Sequence, residues 1–112
     1  MKKTEKFLQT KQYLTDDCKQ IAKMAMDKNW ETRHIVFHVT KNYSGIDCYI
    51  VLFTLMNHHY TNKGRQEILD DYDAHFWTTI ERYIAEPKSD VFDYDKFFVG
   101  AIGALISIPT KY

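Results

Sequence analysis

The chain has 112 residues, with fifteen basic and fifteen acidic side chains and no formal net charge; 45% of it is hydrophobic and 15% aromatic. That length fits one compact domain over residues 1–112, large enough for a core without metal or disulfide staples, and the aromatic content excludes a disordered chain. Charge balance argues against a duplex-binding protein, whose affinity rests on a basic surplus, and no run reaches the roughly 20 apolar residues of a membrane span.

The balance hides an asymmetry. Residues 1–63 carry ten Lys/Arg and six Asp/Glu, whereas residues 64–112 carry five and nine. Two isolated cysteines, Cys18 and Cys48, and no apolar stretch behind Met1-Lys2-Lys3 lead to the expectation of a cytoplasmic protein with free, buried thiols. Lys far outnumbers Arg, and Asn, Ile and Tyr are common, a composition suggestive of an AT-rich mobile element.

In chain order, residues 3–28 read as an amphipathic helix. Phe7, Leu14 and Ile21 recur every seven residues, with Cys18 and Ala25 four residues after Leu14 and Ile21. Thr15-Asp16-Asp17 suits a second helix start, which allows a break near Leu14, and Asn29 supplies a stop. Residues 32–40, TRHIVFHVT, alternate: Ile35, Phe37 and Val39 point one way and His34, Val36 and His38 the other. β-Branched residues enrich the segment, so it reads as a strand. After the turn 41–45 comes the most apolar run of the chain, residues 46–56, IDCYIVLFTLM. It reads as the second strand of a β-hairpin, with Phe53 in the core. The competing reading is a buried helix opened by a capping box from Ser44 to Asp47.

Residues 57–64 read as a polar connection and 66–85 as a helix that buries Trp77. Residues 86–95 form an acidic linker in which Pro87 ends that helix and Ser89 or Asp90 caps the next. A last helix spans 94–106, with Pro109 beyond it. The expected architecture is therefore α+β, helix–β-hairpin–helix–helix, with the hairpin packed against helices; the alternative is an all-α arrangement of five short helices.

No motif dictates a chemistry. His34 and His38 lie four apart, on one face of a strand or a helix, and would hold a metal if a third ligand arrived. That pair supports a third reading, a metal-dependent enzyme, but a solvated face or stacking against aromatics is the simpler explanation of the pair. Cys48 stands in the most apolar stretch beside Asp47, a poor setting for a thiolate. No cofactor is expected. Lys2, Lys6, Lys19 and Lys23 form four-residue steps able to follow a phosphate backbone, and they carry the alternative of a nucleic-acid-binding regulator. Trp30, Tyr43 and Tyr60 lie near turns and are candidates for a contact surface. Asp70, Asp71 and Asp73 offer an acidic face to a basic partner groove. Gly100, Gly103 and Ala104 give the last helix a small-residue side suited to close backbone approach, within the chain or to a second copy. The function expected is non-enzymatic: a small protein-binding protein that self-associates, of the mobile-element inhibitor or anti-defence type, acting by occluding a protein partner.

Overall fold

The computed structural model describes residues 3–85 and 93–112. Lys2, Pro87, Ser89, Asp90 and most of the acidic linker lie outside them. Among the described residues the chain forms six helices and no strand: α1 (Lys3–Gln9), α2 (Leu14–Asp27), α3 (Thr32–Asn42), α4 (Gly45–Asn62), α5 (Gln66–Ala85) and α6 (Tyr94–Ser107), with a closing 3-10 helix at Ile108–Lys111. The α+β expectation is thus overturned in favour of an all-helical fold, with six helices in place of five.

The two segments expected to pair as a hairpin are α3 and α4. In α3 the buried residues are Ile35 and Val39, one helical turn apart, while Phe37 between them is 67% exposed. A strand would have buried all three. Its polar side chains also suit a helix: Thr40 Oγ1 returns a hydrogen bond to the Val36 carbonyl at 2.8 Å, four residues back. In α4 the buried set is Cys48, Tyr49, Ile50, Val51, Leu52, Leu55 and Met56, which covers every side of the helix. A helix apolar all round is stable only when enclosed. Accordingly α4 packs against α2, α3, α5 and α6 and forms the axis of the domain. The run is the helix of the competing reading, but without its capping box: Ser44 makes no side-chain cap, and Asp47 pairs instead with Lys11 at 3.0 Å.

Helix ends follow the local chemistry. Lys11, Thr10 and Gln12 make three-residue turns that separate α1 from α2, at the break near Leu14 that the sequence allowed. After α2, Asn29 takes φ 53°, which lets Trp30 N–H reach the Ala25 carbonyl at 2.9 Å and Asn29 N–H reach Met26 at 3.2 Å. This Schellman closure is repeated after α4, where Gly64 takes φ 66° and Arg65 N–H meets the Tyr60 carbonyl at 3.1 Å. Residues 57–62, expected as a connection, are the last turns of α4. α6 is capped by Asp93, whose carboxylate accepts from Lys96 N–H at 3.1 Å.

A ladder of rings joins the layers. Phe53 stacks on Phe76 at 4.0 Å, Phe76 on Tyr49 at 5.8 Å, and Tyr49 meets Phe98 at 6.2 Å. Tyr83 extends the ladder from Phe98 to Phe7 of α1. Phe53 is only partly buried, so it sits at the rim of the core and not at its centre. Trp77, expected inside, is 42% exposed and leans edge-on against Phe76.

Leu52 is fully enclosed. Leu52→Ala is expected to cost about 2–5 kcal/mol in chemical denaturation, whereas Phe37→Ala should stay within about 0.5 kcal/mol of the parent. A large loss at Phe37 would restore the strand reading of that segment.

Candidate functional site: an apolar groove beside the central helix

The bend between α1 and α2 sends α1 onto α5 and α2 onto α4. In the angle between them lies a groove of about 850 Å³. Leu14, Cys18 and Ala22 of α2, Ile50, Phe53 and Leu55 of α4, and Phe76 of α5 form its floor and walls. Met26 stands at one end and is 72% exposed. Lys11, Lys19 and Lys23 line the mouth, with Asp27 as the one acidic member of the lining. The helical repeat explains this arrangement: positions 15, 19, 22, 23 and 26 of α2 run beside the core stripe at 14, 18 and 21, so lysine stems flank apolar side chains.

The rim cations differ in state. Lys11 is tied to Asp47 and lies near the Tyr13 hydroxyl at 3.4 Å. Partial burial pulls its ammonium down, but those hydrogen bonds and the Asp47 charge outweigh this and hold it above its ordinary value. Lys19 and Lys23 are exposed and form no ion pair among the described residues.

The sequence-selected residues fall in several places. Lys19 and Lys23 line the groove, while Lys6 projects from α1. Trp30 is partly buried, with its ring 5.3 Å from His38 and the Lys28 ammonium 5.6 Å from the indole centre. Tyr43 donates to Asp17 at 2.7 Å, a bond that, with some burial, pushes the phenol up to about 12. Tyr60 packs against the core and meets Tyr72 edge-on at 5.8 Å. The three aspartates do not share one surface role: Asp70 accepts from Gln66 at 2.8 Å, Asp71 from the Tyr112 hydroxyl, and Asp73 from Asn57 at 3.4 Å. Gly100, Gly103 and Ala104 are exposed, and a Cβ at either glycine would meet nothing within 4 Å. The close backbone approach expected there is therefore not made among the described residues.

His34 and His38 share a helix face but are separately engaged. His34 Nδ1 accepts from the Glu31 N–H at 3.2 Å, while His38 lies against Trp30. Among the described residues no three His, Cys, Asp or Glu side chains converge as a metal site. Burial pushes the Cys48 thiol up to about 11. It also raises Cys18, against the opposing hydrogen bond with Thr54. Neither thiol is poised as a nucleophile.

Met26 and Phe53 are groove residues absent from the candidate sites read in the sequence, where Phe53 carried the expectation of a core position. No described helix is long and apolar enough to cross a membrane. No family model, curated protein or solved structure matches the chain.

One titration is built into the wall of the core. The Tyr49 hydroxyl and His75 Nδ1 lie 2.7 Å apart. Burial pushes Tyr49 up to about 12, and burial with the Lys111 charge lowers His75 from its ordinary 6.5. The phenol therefore donates to an unprotonated imidazole. A lowered histidine stabilises the fold above its unfolded value, and that contribution is lost as pH falls through the folded value. Stability measured by denaturant from about pH 7 to about pH 5 should fall more steeply in the parent than in His75→Gln; parallel profiles would contradict this.

Proposed function

We propose that the protein is a non-enzymatic binding protein whose groove beside α4 receives an amphipathic, acidic helix of a partner protein. The observation that carries this reading is the pairing of an apolar floor with a lysine rim. Phe53, Ile50 and Phe76 offer apolar contact, and Lys19 and Lys23 flank it with cations that have no ion-pair partner among the described residues. A helix laid in a groove presents one apolar stripe and polar flanks, and acidic flanks complement this rim. Occupation of such a groove serves an inhibitor or regulator that acts by occluding its partner, as a mobile-element anti-defence protein would. A reducing, cytoplasmic setting suits the two free buried thiols.

The test uses a synthetic helical peptide with leucines on one stripe and glutamates on both flanks. Met26→Glu places a repelling charge at the groove without touching the core. The double variant Lys19→Glu/Lys23→Glu reverses the rim. Each is expected to weaken peptide binding by roughly tenfold or more in titration calorimetry. Parent-like binding by Met26→Glu, or no binding by the parent, would remove the proposal. A nucleic-acid complex abolished by the lysine changes but indifferent to Met26→Glu would favour the phosphate-binding alternative.

Self-association is a second reading, carried by α6. Val99 is 71% exposed beside the open Gly100–Gly103 side, and Ile106 is exposed on the same helix. Since a Cβ at Gly103 meets nothing within 4 Å among the described residues, Gly103→Leu should leave the monomer folded. If α6 pairs with a second copy, light scattering will show the parent as a dimer and the variant as a monomer. An unchanged mass would remove α6 from any self-interface.

A further inference from the structure

The outer face of α3 carries a chemistry different from that of the groove. The helix, TRHIVFHVTKN, holds no acidic residue. Ile35 and Val39 take its buried side, so the helical repeat turns His34, Phe37 and Lys41 outward, with His38 on the flank. Together with Trp30, which precedes the helix, and Asn42 they line an open hollow of about 450 Å³. No acidic residue is in that lining.

Two kinds of group surround the hollow. Flat rings are the first: Phe37 is 67% exposed, and Trp30 lies 5.3 Å from His38. Cations are the second, and they stand over the rings. The Lys41 ammonium is 5.9 Å from the Phe37 ring centre, and that of Lys28 is 5.6 Å from the Trp30 ring centre. Neither lysine forms an ion pair among the described residues. Glu31 is the one acid between residues 28 and 42, and it is engaged at the helix start. Its carboxylate accepts from the His34 backbone N–H and meets Arg33 Nε at 3.0 Å. Arg33 keeps further N–H donors beyond that contact. His34 Nδ1 accepts from the Glu31 N–H at 3.2 Å, so the proton of the neutral ring sits on Nε2, where it remains a donor.

Exposed rings beside cations suit a single-stranded nucleic acid, whose bases stack on aromatic faces while its phosphates follow the positive charge. A duplex keeps its bases stacked on one another, and an acidic peptide would meet the lysines without using the rings. We infer that the outer face of α3 binds single-stranded nucleic acid, with a base stacked on Phe37 in the hollow and backbone phosphates on Lys28, Arg33 and Lys41. None of the residues lining the hollow lines the groove beside α4, so the two surfaces are independent.

The experiment titrates a fluorescently labelled oligothymidylate with the full chain and reads anisotropy. Raising salt from about 50 to about 200 mM should weaken the parent complex roughly five- to twentyfold, as two or three phosphate contacts require. Phe37→Ala, a surface change expected to fold like the parent, should weaken binding about tenfold or more, and Phe37→Trp should retain it. Lys28→Glu/Lys41→Glu should weaken it comparably, whereas Lys19→Glu/Lys23→Glu, on the groove, should bind like the parent. An unlabelled duplex and a glutamate oligomer should compete poorly. No binding by the parent, parent-like binding by Phe37→Ala, equal loss in the two lysine pairs, or competition by the duplex or the glutamate oligomer as strong as that of unlabelled single strand would each overturn the inference.

Discussion

The fold depends on α4, whose first turns carry buried side chains on every side. Tyr49, Val51, Leu52 and Cys48 are all enclosed although they point in different directions around its axis. Burying each large apolar side chain contributes about 1.5–3 kcal/mol, and the whole sum is available only if neighbours close on every face. Four helices do so, and their own single stripes, such as Ile35/Val39 on α3 and Leu14/Cys18/Ile21 on α2, meet that requirement with polar outer faces left for solvent.

Enclosure by short helices is uneven, and the two clefts follow from that. The bend after α1 leaves Phe53 and Phe76 stacked on each other but open toward α2, where the lysine stems reach over them. On the opposite flank, the end of α6 and the 3-10 helix approach α3 and leave a cleft lined by Val36, Phe37 and Met56. The two openings differ in chemistry. The first is long, apolar and rimmed by cations, which suits a segment of another protein. The second is largely apolar, with Arg33 as the one charged residue of its lining.

Much of the chain was legible in advance where one signal stood alone. α5 was expected at residues 66–85 and runs Gln66–Ala85; the last helix was expected from 94 and begins at Tyr94. Asn29 ended α2 as expected, through a left-handed turn. The misreading at the centre arose where two periods coincide. Positions 35 and 39 share a face in both a strand and a helix, so only Phe37 discriminated, and its ring lies outside. The run 46–56 has no polar residues frequent enough to show any period, and β-branched and aromatic residues suggested strand until packing overrode propensity.

The candidate sites were less legible still, because a groove belongs to no one segment. Lys19 and Lys23 stood out by spacing, but the apolar floor beneath them comes from α4 and α5, far along the chain. By itself the sequence determined an apolar centre at 46–56, two C-terminal helices and a basic first half, since composition and local periodicity carry those properties residue by residue. Tertiary structure alone decided that the centre is helical and where it stays uncovered, because both depend on how many neighbours can close around one apolar segment at once.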